Sequence, residues 1–471
     1  MHITTFEFLF YWLLVLVVYY FLPRRAQNVL LLAASVLFYG TWSWRFVGVL
    51  AILTMANFFW ARLLRKGQAR IPWRLWLGIG GNVGTLVVFK YADFYVPELL
   101  QLLGGGATLE WVLKIVLPVG LSYRILENIS YLVDVYRGQI PASRNLVDFG
   151  LFSFYALKLL SGPIERARSF LNRLAEPRLV DNDVIARSFT LLVIGAFRKL
   201  VIADTLAGVI PPLMFESPSA YGSWELVMGL LIYGFMLYNN FAGYTDMMRG
   251  LSGFFGLPLS SNFFCPFFSR NMTEIWTRWH TTLGLWLRDY IYLPLSRAFL
   301  RRNPNPRRWA NVVVPPMAAM LVSGLWHGLS WNLVCWGALI GFFLVISRLP
   351  SLWRPLMPPD RQPMWRQLLG MGAVAVAMAF SLVLFIMDFN TAADFYERLF
   401  FWTKWVTPPP LAVFGVALSL GLDICQYVRR DEVIFLRWPR WLQAVLLAAA
   451  LLAIFLATRL KPAEPFIYQG F

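Results

Sequence analysis

Residues Val312–Ser347 read VVVPPMAAMLVSGLWHGLSWNLVCWGALIGFFLVIS and hold no Asp, Glu, Lys or Arg in 36 positions. As one straight helix this stretch would be about 54 Å long, against a bilayer hydrocarbon core of roughly 30 Å. It therefore predicts two membrane spans, or one span and a re-entrant piece. A single histidine, His327, lies near its middle.

The rest of the chain reads the same way. Of 471 residues, 58% are hydrophobic and only 14% charged, where soluble domains carry about 25% charged residues. The mean hydropathy is +0.58. Further apolar runs lie at Phe8–Leu22, Asn28–Trp44, Phe46–Trp60, Leu75–Phe89, Trp111–Tyr136, Phe189–Ala203, Trp224–Tyr238, Leu368–Met387, Leu411–Tyr427 and Trp441–Thr458. The fold class expected is all-α: a polytopic integral membrane protein of about ten to twelve helices, some broken, re-entrant or interfacial. No linker or internal repeat divides it, so residues 1–471 read as one domain. The first run, preceded by His2 and Glu7 rather than basic residues and followed by no small-residue cleavage site, reads as a retained helix.

The net charge of +17 invites a nucleic-acid partner. The basic residues instead fall in short clusters between apolar runs: Arg24–Arg25; Arg62, Arg65, Lys66, Arg70 and Arg74; Arg297 to Arg308; Arg348 to Arg366; Arg429 to Arg440. Loops of this kind stay cytoplasmic. Membrane topology accounts for the charge, and no nucleic-acid partner is expected. An outer loop carrying Asp93, Glu98 and Glu110 fits the same topology. Cys265, Cys335 and Cys425 are odd in number, widely spaced and lie in or beside apolar segments, which argues against a disulfide framework or a zinc site and reads as small buried hydrophobes.

Several features depart from plain spans. The Leu75–Phe89 run carries Gly78, Gly80, Gly81 and Gly84, small residues that let helices approach closely. Trp111–Tyr136 contains Lys114, Arg124, Glu127 and Asp134; charges inside a span are paired or functional, and Arg124 and Glu127 stand at i, i+3. The stretch Ser161–Arg168 (SGPIERAR) is too polar for lipid and reads as re-entrant or interfacial. Thr273–Leu295 spaces Trp276, Trp279, Leu283, Trp286 and Tyr290 as one face of an interfacial amphipathic helix beginning near Thr273. Such an aromatic stripe reads as packing.

Apart from His2, the histidines are His280 and His327. Burial disfavours the imidazolium, so His327 inside an uncharged span should be neutral at pH 7, with one nitrogen able to take a proton from a hydroxyl. Gly324 and Gly328 flank it as GxxxG, which serves equally as a helix-packing motif or as space for a substrate. On the residues alone, base and packed bystander weigh about equally for His327, and His280 reads as an interfacial histidine. No G-x-S-x-G elbow, Walker loop, H-E-x-x-H or G-x-G-x-x-G stands in a suitable context, and two histidines cannot make a histidine-rich metal cluster. No metal is expected.

The run Arg278–Leu295 (RWHTTLGLWLRDYIYLPL), followed by Gly324–Trp331 (GLWHGLSW), resembles the signature of the membrane-bound O-acyltransferase (MBOAT) superfamily. Within it the chain most resembles the bacterial branch of the alginate O-acetyltransferase membrane subunit. Weaker matches lie at Leu117–Ser122 (LPVGLS), Ser130–Gly138 (SYLVDVYRG), Ser161–Ile164 (SGPI), Gly195–Asp204 (GAFRKLVIAD), Phe241–Asp246 (FAGYTD) and Pro465–Tyr468 (PFIY). The resemblance implies an MBOAT-like core of about residues 110–350, a catalytic His327 and a second active-site histidine, His280. Tyr123–Asn128 (YRILEN) replaces the usual aromatic-Thr-Phe-Gln run, and Asn240 stands where Asp is usual; both segments are expected to shape the substrate path.

The function so implied is transfer of a short acyl group, foremost acetyl, from a cytoplasmic donor to a hydroxyl of an exported polysaccharide, in the cell inner membrane. The donor would be a co-substrate such as acetyl-CoA or an acyl carrier protein, with no tightly bound cofactor. Partners would be the polysaccharide, membrane lipids and periplasmic proteins that complete the transfer. D-alanylation of a cell-envelope polymer is the neighbouring reading. A transporter or flippase without chemistry is the alternative of another class, but the expected inverted repeats and coupling carboxylates near His327 do not appear.

Overall fold

The computed structural model describes residues 5–64, 72–92, 96, 117–159, 162–178, 180–353, 357, 359–401, 403 and 405–460. The acids Asp93, Glu98 and Glu110, together with Arg65, Lys66, Arg70, Lys114, Ser161, Arg354 and the closing PFIY run, lie outside the described residues. Within the described residues every regular element is helical. Among the described residues, seven helices are long and apolar enough to cross a membrane: Trp44–Leu63, Ser223–Phe254, Trp309–His327, Trp331–Leu352, Met364–Ile386, Pro410–Arg429 and Arg440–Arg459. The last of these buries none of its most apolar window against protein. A helix apolar on every side and still uncovered needs lipid around it.

The 36-residue uncharged stretch is a helical hairpin, Trp309–His327 and Trp331–Arg348. Glycines set how tightly it closes. A Cβ on Gly324 would stand 2.3 Å from the Leu333 carbonyl oxygen, and one on Gly337 would stand 2.5 Å from that of Met320. The two backbones therefore touch, as small residues allow in a membrane. Gly324 is a packing glycine, whereas Gly328 follows the helix in extended conformation. Of the glycine-rich fourth span, only Gly78 behaves as expected, abutting Trp60 and Leu132. Among the described residues, a Cβ on Gly80, Gly81 or Gly84 would meet nothing within 4 Å.

The chain divides into two compact units, residues 1–188 with 248–260, and residues 189–247 with 261–471. The first unit contains a buried ionic cluster. Arg124 on the Leu121–Arg137 helix pairs with Glu127 at 2.5 Å, and Lys158 reaches the same carboxylate at 2.5 Å. Arg124 also donates to the Phe152 carbonyl (2.8 Å), Ser153 Oγ (2.8 Å) and Asn128 Oδ1 (3.0 Å). Asn128, Asn82 and Asn57 continue the network across three helices. The expected i, i+3 pair is thus present, with a second cation added.

The described part of the polar Ser161–Arg168 stretch begins in this unit: residues Gly162–Glu165 are non-helical and buried in protein. Their polarity is answered from within: the Glu165 N–H donates to Glu127 (3.0 Å), and the Glu165 carboxylate accepts from the Ser260 N–H (2.6 Å). Irregular backbone is tolerated at membrane depth when protein surrounds it.

In the second unit, Gly195 and Gly243 each lie so close to the other's carbonyl that a Cβ would stand 2.6–2.7 Å away. Just past this crossing the helix widens into a π segment, Phe197–Ala203. It carries Arg198, which donates to Asp423 at 2.5 Å and to Asn239 and Gln426 at 3.0 Å. The helix expected to stop at Tyr238 runs from Ser223 to Phe254, 32 residues. Three cysteines are free, with Cys265 buried.

Candidate active site

His327 is the last residue of the Trp309–His327 helix, only 6% exposed. Three rings meet its imidazole nearly edge to face: Trp326 at 4.8 Å, Trp336 at 5.3 Å and Phe385 at 5.0 Å between centroids. The neighbouring helices are locked to one another behind it. Asn332, one residue into the second hairpin helix, donates to the carbonyls of Leu384 (3.2 Å) and Met387 (2.9 Å). These bonds satisfy the carbonyl end of the Met364–Ile386 helix and hold Phe385 beside His327.

His280 is buried, only 2% exposed. The segment Thr273–Leu295, expected as one helix, is not one: a single turn, Met272–Ile275, is followed by a bend, then by Thr281–Leu287, a π segment Arg288–Tyr292 and Leu293–Arg302. The break falls on His280, whose φ of 43° and ψ of 51° are left-handed. That conformation costs an L-residue about 1–2 kcal/mol and persists only where its surroundings impose it.

Here the constraint comes from residues 261–264. Trp279 forms an antiparallel bridge with Phe263, and the Phe264 N–H donates to the Arg278 carbonyl at 2.9 Å. The Thr281 N–H donates to the Asn262 carbonyl at 3.0 Å, and Thr282 Oγ1 bonds Asn262 Oδ1 at 2.6 Å. Two flanking backbone clamps therefore force the turn at His280, whatever the helical spacing of the tryptophans. Phe241 meets the ring edge to face at 5.0 Å. Burial pushes the His280 pKa down to about 3, so the imidazole is neutral at pH 7.

The two histidines, 47 positions apart in the chain, wall the same cavity of about 40 Å³. Trp276, Trp279 and Leu283 approach from the broken segment, Trp336 from the hairpin, and Met378, Ser381, Leu382 and Phe385 from the Met364–Ile386 helix. Among the described residues, no carboxylate or cation lines it. An apolar cavity with two imidazoles suits proton transfer to or from a neutral hydroxyl, since no fixed charge on the described lining competes for the proton.

Residues 134–388 match the membrane-bound O-acyltransferase family, MBOAT. The chain belongs to this family. The probable alginate O-acetylase AlgI of Azotobacter vinelandii is 38% identical over 349 residues, covering 72% of this chain and 67% of that protein. The peptidoglycan O-acetyltransferase of Helicobacter pylori is 30% identical over 368 residues, 70% of this chain and 67% of its own. The teichoic acid D-alanyltransferase of Streptococcus thermophilus is 28% identical over 265 residues, 55% and 64% respectively. The chain is therefore a multi-pass membrane O-acyltransferase, and both cavity histidines fall inside the matched region.

The segments that depart from the family pattern have definite surroundings. Arg124, Glu127 and Asn128 are members of the buried cluster of the first unit. Asn240 is buried, and its Oδ1 accepts no hydrogen bond from protein. Missing from the sequence reading were the cavity residues of the Met364–Ile386 helix. Nothing in an apolar span distinguishes a side chain that lines a cavity from one that faces lipid.

Proposed function

We propose that this enzyme moves an acetyl group from a thioester donor, acetyl-CoA or an acylated carrier protein, to a hydroxyl of an exported polysaccharide, with His327 as general base. The observation that carries the reading is the shared cavity of His280 and His327. Neutral His327 takes the hydroxyl proton as the oxygen attacks the acyl carbon, then returns it to the departing thiolate. His280, fixed in its left-handed turn, positions the reacting groups. Residues 1–471 serve this chemistry as one membrane domain, in the cell inner membrane, together with periplasmic partner proteins.

The two more similar of the three relatives are O-acetylating by name; the D-alanyltransferase is the more distant.

Chemical analysis of the surface polymer from a deletion strain tests the reading. Alkali-labile acetyl esters should disappear, return with the wild-type gene and stay absent with His327→Ala. Loss of D-alanyl esters instead would transfer the assignment to that chemistry. An unchanged ester content would overturn both.

A further inference from the structure

We propose that the indole N–H of Trp276 is the hydrogen-bond donor that stabilises the carbonyl oxygen of the acyl group as it is transferred. The inference rests on the acyl-transfer reading and assigns a missing element of it, the group that faces the developing negative charge. Trp276 lines the same cavity as His280 and His327. Its Nε1 is buried and donates to no protein acceptor. Other indoles are satisfied in the ordinary way: Trp60 and Trp224 each donate to a backbone carbonyl at 2.9 Å. Trp12 also buries an unpaired N–H, but its ring is packed among Phe8, Phe38 and Phe255. Trp276 lines the histidine cavity and carries a buried indole N–H that meets no acceptor among the described residues. A buried donor without an acceptor calls for a reason, and a donor aimed where charge develops is one.

The indole is also mounted rigidly, as such a donor must be. Trp276 closes the Met272–Ile275 turn, whose start is capped by Asn271 Oδ1. Glu274 is clamped between Arg270 (2.9 Å) and Arg278 (2.8 Å), one on each side of the turn. Burial alone would raise the Glu274 pKa, but the bonds from Arg270 and Arg278 prevail and hold it below the usual 4.5, so the clamp is charged at pH 7. Gly284 completes the mount, since a Cβ there would stand 2.7 Å from the Trp276 carbonyl oxygen.

In the transfer step, the hydroxyl oxygen bonds to the thioester carbon as His327 takes its proton. The C=O π pair moves onto oxygen, where the Trp276 N–H meets it. When the pair returns, the C–S bond breaks, and the thiolate leaves with the proton that His327 gives back. Each atom and proton is accounted for by donor, acceptor and His327.

The test removes only the N–H. Trp276→Phe keeps an aromatic ring. Replacement of Trp276 by benzothienylalanine, through nonsense suppression, puts sulfur in place of N–H with the shape unchanged. Cells of a deletion strain carrying each form are pulsed with labelled acetate, and the rate of polymer ester formation is measured per copy of membrane-inserted enzyme. Both forms should be slower by about 10²–10³-fold, the effect of deleting one oxyanion donor. If Trp276→Phe fails to insert, the benzothienyl form decides. A rate within threefold of wild type in an inserted form overturns the proposal. If His327→Ala abolishes transfer while the Trp276 forms remain active, only this inference fails; if His327→Ala remains active, the reading beneath it fails too.

Discussion

The two units treat polar groups inside an apolar protein in opposite ways. In the first, Arg124 and Lys158 each stand 2.5 Å from the Glu127 carboxylate, with Asn128 and Ser153 accepting further bonds from Arg124. In the second, no charged side chain among the described residues lines the cavity of His280 and His327, and aromatic edges meet both imidazoles. A charge removed from water is costly unless another charge answers it. A neutral imidazole carries no such cost and stays available for a proton. The first arrangement holds structure and the second leaves chemistry open. The Arg198–Asp423 pair shows that the second unit uses paired charges too, away from the cavity lining.

Substitutions should break this contrast in a definite order. His327→Ala has the largest effect: polymer ester formation per inserted copy falls by about 10²–10⁴-fold, the usual contribution of a general base, with the amount of inserted protein unchanged. Glu127→Ala should do the reverse. It strands two buried cations and destabilises the first unit by about 3–5 kcal/mol. Quantitative immunoblotting of membranes would show less protein, while transfer per surviving copy stays near wild type.

Gly324→Ala is smaller. Its methyl would meet the Leu333 carbonyl at 2.3 Å, forcing the hairpin apart at a cost of about 1–3 kcal/mol. The thermal midpoint in detergent should fall, whereas Gly80→Ala, with nothing within 4 Å, should leave it in place.

The smallest effect concerns pH. The His280 pKa falls from 6.5 to about 3 on folding, so the unfolded chain binds more protons between those values. The stability His280 contributes is complete above pH 6.5 and is lost as pH falls toward 3. At pH 5.5, one unit below the ordinary value, the loss is on the order of 1 kcal/mol. Thermal midpoints at pH 7.5 and 5.5 should therefore lie closer together in His280→Asn than in wild type; equal separations would refute the buried neutral state.

Much of the architecture is legible in the chain because lipid constrains composition so strongly. Val312–Ser347 could only be a hairpin or a re-entrant element, and it is a hairpin. The break at His280 was hidden for a physical reason. Trp276, Trp279, Leu283, Trp286 and Tyr290 keep helical spacing, but the bridge from Phe263 to Trp279 and the Asn262 bonds override local periodicity. Lys158 joins a carboxylate 31 residues away, and no spacing rule reaches that far. His327 and His280 were evident as the scarce polar residues of two family-like runs. Their common cavity needed Phe385 and Met378, whose apolar character in a span carries no mark of function.

The most direct test sets the two regions side by side: polymer acyl ester per copy of membrane-inserted enzyme, measured for His327→Ala and Glu127→Ala in the same deletion strain. Ester per copy should collapse for His327→Ala and hold for Glu127→Ala. Ester per copy retained in His327→Ala would contradict the account.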